Sequence, residues 1–231
     1  MLCNPGPQDY RHTHWSFRKL AGLLAKEGFH VLRFDYFATG DSAGDSSEAS
    51  VDQWTNDIAT ASRELQDTAS LRRVSLVGMR LGAVLAVRAC SNGLPIEDLV
   101  LWEPVVLGSV YLDELDRAHD LSLLAQRYPQ DNRRAPEELL GYRMTPELRD
   151  SIREIDLTEE NSWRPRRLLV VSAQQRLHDR LLIEVGRKNG VDVGLQVVDD
   201  HMLYPGGEPG FILVAHNIPH AITAFLARRR V

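Results

Sequence analysis

The chain has 231 residues, 43% hydrophobic and 26% charged, which suits one large α/β domain or a domain carrying an insertion. Its net charge of -5, its pI near 5.9 and the shortness of its basic runs, such as Arg72-Arg73, Arg166-Arg167 and Arg228-Arg229-Arg230, argue against a nucleic-acid-binding surface. Two cysteines, Cys3 and Cys90, are too few and too far apart for a disulfide framework or a metal site. A reducing, cytoplasmic setting without metal or cofactor is therefore expected. Nothing resembles a signal peptide, and the longest apolar stretch, Val74 to Val87, is interrupted by Arg80, so no membrane span is expected.

Apolar runs of strand length alternate with amphipathic helical patterns, the signature of a parallel sheet with helices on both faces. In chain order the pattern predicts helix 14–27, strand 30–36, helix 51–67, strand 74–79, helix 81–91 and strand 97–103. Strand 167–172, helix 177–189, strand 193–199 and helix 216–229 follow after a break. Ser50 with Gln53 reads as a capping box, and Gly28 and Gly190 as helix stops. In the break, from Leu107 to Pro165, helical segments rich in Asp, Glu and Arg replace the strand rhythm, cut by Pro129, Pro136 and Pro146. The expected organisation is a core of residues 1–106 and 166–231 with a helical cap, 107–165, inserted between two strands.

The segment Val74-Ser75-Leu76-Val77-Gly78-Met79-Arg80-Leu81-Gly82-Ala83 carries the most information. An apolar run ending in Gly, three residues, a second Gly and then an Ala/Leu-rich helical pattern reads as strand, sharp turn, helix. With Leu2-Cys3-Asn4-Pro5-Gly6 and Arg33-Phe34-Asp35-Tyr36-Phe37-Ala38-Thr39-Gly40-Asp41-Ser42-Ala43-Gly44, in that order, it resembles the α/β-hydrolase superfamily over most of the chain outside the cap. The chain is similar, within it, to small bacterial hydrolase-like proteins associated with exosortase and exopolysaccharide gene sets. These share a Gly-Leu-Arg-Leu-Gly elbow and a Trp-x-Pro-Val segment opening the cap, here Trp102-Glu103-Pro104-Val105. The resemblance implies an α/β-hydrolase-like parallel sheet with two further strands ahead of the Asn4-Pro5-Gly6 loop, where only Met1, Leu2 and Cys3 stand. A stub in mid-sheet would leave edges open to another chain, so poor solubility or a homodimer is expected. Ala38 replaces the first Gly of the superfamily's Asp-x-x-Gly-x-Gly-x-Ser pattern, which implies a local backbone adjustment.

The family's serine is replaced by Arg80, and a guanidinium cannot be deprotonated near neutral pH to attack a carbonyl. Two roles stay open for it: clamping a carboxylate or phosphate beside the helix N-terminus, or pairing internally with a nearby acid. The resemblance implies oxyanion donors at the N–H of Leu81 and near Gly6 or Gln8, an acid at Glu103 and a base at His201. Glu103 is also the expected partner of Arg80, while Asp179, the alternative acid, already falls inside a helical pattern. Tyr10, His12 and His14 are expected in the loop before the first helix, with Tyr10 a candidate proton donor. Cys3 is a remote substitute nucleophile, Asp35 and Asp41 read as loop ties, and His216 and His220 as helix-surface residues. Tyr111, Leu112, Leu115, Leu123, Leu124 and Tyr142 offer apolar faces that line an acyl-sized pocket or seat the cap.

Three functions remain open. One is a non-serine enzyme acting on a small-molecule or acyl substrate, an ester, thioester or amide with an anionic group. Another is a pseudo-hydrolase that binds a ligand or a biosynthetic partner without turnover. The last is a structural partner whose pocket is filled by an Arg80–Glu103 pair.

Overall fold

The structure is a computed structural model that describes residues 1–125, 137–200 and 214–228. In chain order its elements are β1 (Leu2–Cys3), α1 (Pro7–Lys26), α2 (Val51–Ala69), β2 (Val74–Met79), α3 (Leu81–Ser91), β3 (Ile96–Trp102) and α4 (Gly108–Ala125). There follow β4 (Glu138–Leu139), β5 (Tyr142–Arg143), α5 (Pro146–Arg153), β6 (Arg167–Ser172), α6 (Leu177–Lys188), β7 (Asp192–Val197) and α7 (Asn217–Ala227).

Strands that are buried on both faces are largely apolar, and β2, β3 and β6 read that way apart from Ser75, Glu97, Asp98, Arg167 and Ser172 toward their ends. They form the middle of a parallel sheet ordered β1-β2-β3-β6-β7. The period of two divides their side chains between two cores. Leu76, Leu99, Leu101, Leu168 and Val170 pack on the face that carries α2, α3 and the segment between β3 and β6. Val77, Met79, Val100, Trp102, Leu169 and Val171 pack against Phe17, Leu20 and Leu24 of α1 and Ile218, Ile222 and Leu226 of α7.

Three elements differ from the sequence pattern. Helix α1 begins at Pro7 rather than near residue 14, because Gly6 turns the chain at φ 95 and Pro7 supplies a preset φ where no N–H is needed. Tyr10, His12 and His14 are therefore helical and not part of a loop. The stretch 30–36 is extended but contributes only an Arg33–Leu2 bridge and a Leu2 N–H to Leu32 carbonyl bond of 2.9 Å, since β1 offers just two residues to pair with. The β3–β6 segment holds, besides α4 and α5, the short antiparallel hairpin β4–β5, whose turn puts Leu140 and Gly141 at positive φ. At α2 the Ser50 hydroxyl accepts the Gln53 N–H at 3.2 Å, but the Gln53 side chain turns forward to Asp57 instead of closing the box. Ala38 carries its adjustment as a left-handed backbone, φ 60. No described helix is long and apolar enough to cross a membrane.

The turn between β2 and α3 depends on two glycines. A Cβ at Gly78 would stand 2.4 Å from the Gly82 carbonyl oxygen, and one at Gly82 would stand 2.1 Å from that of Asn4. Both obstacles are backbone, which cannot swing aside. Gly22, exposed within α1, has nothing within 4 Å of such a Cβ. Gly82→Ala is therefore expected to destabilise by ~1–3 kcal/mol, whereas Gly22→Ala should stabilise by ~1 kcal/mol. Urea unfolding of the two variants measures both, and a similar response in each would contradict the packing described.

Candidate functional site

The elbow is made by one strained residue. Arg80 leaves β2 at φ 51, ψ -120 and caps α3. Its N–H bonds the Trp102 carbonyl at 3.1 Å and its carbonyl receives the Val105 N–H at 3.2 Å, so its backbone is tied to the end of β3. Such a conformation costs ~1–3 kcal/mol and persists only where its surroundings enforce it.

The guanidinium is buried, Arg80 being 1% exposed. A buried charge needs matching charge and acceptors. These come from two helices that flank the elbow. Glu114 of α4 accepts from one terminal nitrogen of Arg80 at 2.5 Å, and Asp9 of α1 places Oδ2 3.5 Å from Nε. Tyr111, one turn before Glu114, lays its ring 5.2 Å from the guanidinium carbon and donates its hydroxyl to the same Asp9 oxygen at 2.9 Å. Core and β3–β6 segment thus share one charge cluster.

Burial alone would ease the proton off Arg80, but Asp9, Glu114 and Tyr111 outweigh it and raise its pKa. Burial pushes the Asp9 carboxyl above its ordinary range, with Arg80 and the Tyr111 hydroxyl pulling back. Asp9 Oδ1 finds no hydrogen-bond partner among the described residues. Asp9 is thus subject to two opposed influences, burial on one side and the guanidinium and phenol on the other.

Glu103 stands beside this cluster but faces another way. At φ 44 past the end of β3, it donates its N–H to the Val171 carbonyl at 2.8 Å, and its Oε1 accepts the Ala173 N–H at 3.2 Å. Its carboxylate is thereby drawn to the β6 side, so the acids against Arg80 come from α1 and α4 and not from the expected Glu103. Leu81, fully buried, is the first residue of α3, where an N–H has no acceptor within the helix. Gly6 lies against it, its Cβ position 3.3 Å from Leu81 Cδ2, so the two expected oxyanion donors belong to adjoining turns.

Tyr10 belongs to a separate space. It lines a cavity of about 170 Å³ together with Asn4, Gly6, Asp35, Trp54 and Tyr142, while Arg80, Leu81 and Glu103 do not border it. His201 lies outside the described residues. Its neighbour Asp200 caps α7 by accepting the N–H groups of His216, Asn217 and Ile218 at 2.6–2.9 Å. Asp179 is buried and tied to Ser172 and Arg176 at the start of α6. Burial pushes the Cys3 thiol up to about 12, which leaves no thiolate for attack. Asp35 binds its own loop, accepting from Asn4 Nδ2 at 3.4 Å and the Asp41 N–H at 3.3 Å. His216 sits beside Lys19, their nitrogens 3.0 Å apart. No three His, Cys, Asp or Glu side chains gather as a metal site among the described residues.

Two functional residues escaped the sequence pattern. Asp9 was legible only if Pro7 was read as a helix start, which puts Asp9 in the first turn. Glu114 has no signal beyond sharing a helix face with Tyr111, three residues before it.

A parallel sheet, a strand–turn–helix elbow with Gly on both sides, and a glycine turn facing it agree with the sequence match to the alpha/beta hydrolase family, which spans residues 4–228. The chain belongs to that family. Among solved structures it is similar to the Pyrococcus furiosus esterase Pf2001, with TM-score 0.64 and 20% identity over 98% of this chain and 80% of that one. It is also similar to Est1E from Butyrivibrio proteoclasticus with ferulic acid bound, with TM-score 0.62 and 16% identity over 99% and 87% of the two chains. A hydrolase from Pseudomonas aeruginosa PA01 gives TM-score 0.62 and 17% identity over 97% and 88%. At these identities the likeness is one of fold. No curated protein matches the sequence.

Removing one partner of a buried ion pair costs ~3–5 kcal/mol, so Arg80→Met should lower unfolding stability by about that much. Glu114, with 31% of its side chain exposed, should matter less, Glu114→Gln costing at most ~1 kcal/mol. Equal effects in urea titrations would contradict the cluster. A pH series tests Asp9 separately. A carboxyl whose folded pKa lies above its ordinary 3.8 favours the fold at low pH, and that contribution is lost as pH rises through the folded value. The unfolding free energy of the wild type minus that of Asp9→Asn should therefore fall as pH is raised from below 3.8, and a difference that rises would overturn the assignment.

Proposed function

We propose that this alpha/beta hydrolase family member is a binding protein rather than a serine hydrolase, with its elbow closed by an internal ion pair. The observation that carries the reading is the occupant of the turn between β2 and α3. A nucleophile there must expose a deprotonable atom to substrate, whereas Arg80 has no such atom, is 1% exposed, and is engaged by Asp9, Glu114 and Tyr111. The same engagement favours an internal pair over the clamping of a substrate carboxylate or phosphate. The β3–β6 segment serves as a cap, and α4 is the part of it that seals the elbow.

The Arg-bearing elbow and Trp102-Glu103-Pro104-Val105 keep the protein similar to the exosortase- and exopolysaccharide-associated bacterial group, which supports a binding role in a biosynthetic setting. A second reading is a non-serine hydrolase in which Glu103 with His201 moves protons for an ester, thioester or amide. Its support is the backbone of Glu103, held at φ 44 at the carboxyl end of the sheet, where strain often accompanies function.

Hydrolysis of p-nitrophenyl esters and acyl thioesters by the wild type and Glu103→Gln separates the two. The binding reading expects release at the buffer rate from both proteins and no labelling by a fluorophosphonate. Turnover by the wild type that drops in Glu103→Gln would establish the second reading instead.

A further inference from the structure

We propose that the 170 Å³ cavity beside Tyr10 is a ligand site for a neutral, single-ring aromatic molecule bearing one small polar substituent. The inference goes beyond the closed elbow, with which the cavity wall shares Gly6 but none of the charged cluster. It holds whether or not the elbow turns over an ester, because Arg80, Leu81 and Glu103 take no part in the cavity wall.

The depth of the cavity is apolar because its polar groups are already used. The Trp54 indole N–H donates to the Phe37 carbonyl at 3.0 Å, and the Tyr36 hydroxyl donates to the Asn4 carbonyl at 3.2 Å. Asn4 Nδ2 donates to the Phe34 carbonyl at 2.6 Å, and the Thr39 hydroxyl to the Tyr36 carbonyl at 2.8 Å. Trp54 and Tyr36 are each 1% exposed and pack with ring centroids 5.9 Å apart, so the two rings are locked in place. What remains for a ligand is ring and methyl surface, with Ala49 and Leu148 among the lining residues. Aromatic walls of this kind favour a flat ring by stacking and edge contacts.

Size limits the ligand to one ring. An apolar cavity of ~150 Å³ holds a benzene molecule, so about 170 Å³ admits a ring with a hydroxyl or methyl group. Polarity increases toward the surface, where Ser46 and Tyr142 are exposed, and a ligand hydroxyl there has both partners and water.

Charge selects a neutral molecule. Among the described residues, two charged side chains line the cavity, Asp35 and Arg143. Arg143 is matched by Glu137 at 3.0 Å and by Asp45 at 3.7 Å, so it offers little to an anion, and Asp35 repels one. A cation gains from Asp35, but its half-buried carboxylate is shared with the loop N–H of Asp41 and the amide of Asn4, and burying the charge against rings costs desolvation.

Calorimetry and ligand-observed NMR on the full chain with p-cresol, 4-methylbenzoate and 4-methylbenzylamine test the proposal. Saturable binding is expected for p-cresol, with the benzoate and the benzylamine each at least about tenfold weaker. Ala49→Phe, which puts a ring into the cavity, should abolish binding, and Tyr142→Ala, at the mouth, should weaken it roughly three- to tenfold. Should Ala49→Phe fail to fold, Tyr142→Ala decides alone. Absence of saturable p-cresol binding, tighter binding of either charged probe, or binding unchanged in the folded variants would overturn the site.

Discussion

A guanidinium held at 1% exposure demands negative charge within hydrogen-bonding reach, and the carboxyl edge of this sheet is arranged to supply it. The demand is severe because Arg80 cannot neutralise itself by losing its proton, as a buried Lys or His can. Asp9 must therefore be brought in by the first turn of α1, and Glu114 and Tyr111 by one face of α4. Those two helices come from chain segments about a hundred residues apart. Their convergence on one side chain ties the β3–β6 segment to the core by electrostatics as well as by the packing of Leu112 and Leu115.

The backbone makes the convergence possible. Gly78 and Gly82 let α3 start hard against β1 and its following loop, and Arg80 between them takes the strained turn that lifts its side chain off the sheet. In the same family geometry a serine would present a small oxygen to substrate. An arginine reaches further, and here it reaches into the neighbouring helices. The strain is the same for either residue, and Arg80 uses the turn to reach Asp9, Glu114 and Tyr111. A buried ion pair of this type adds little net stability compared with a well-packed apolar contact, but it fixes which surfaces meet.

Much of this was legible in the sequence. Apolar runs at 74–79, 97–103 and 167–172 specify the central strands, because both faces of a parallel sheet exclude water. The Gly-x-Arg-x-Gly turn identified the elbow, and loop ties at Asp35 followed from its position. The start of α1 was obscured by its polar residues, since Gln8, Asp9 and Thr13 are buried and break the amphipathic pattern a helix is read by. The stretch 30–36 looked like a strand because its residues suit one, yet pairing depends on a partner, and β1 is two residues long. Glu103 was the natural guess for the partner of Arg80 by sequence proximity to the sheet edge. Its amide and carboxylate instead satisfy groups at the end of β6, a tertiary choice that no local pattern encodes.

Arg80 joins Glu114 of α4 to the turn between β2 and α3. Hydrogen–deuterium exchange of the wild type and a folded Arg80→Met variant tests whether this contact fastens α4 over the elbow. If Arg80 is the fastening, amides of residues 108–125 should exchange roughly tenfold or more faster in the variant, well ahead of those in β3 and β6. Exchange in α4 that stays unchanged, or that rises only in step with the central strands, would contradict that role.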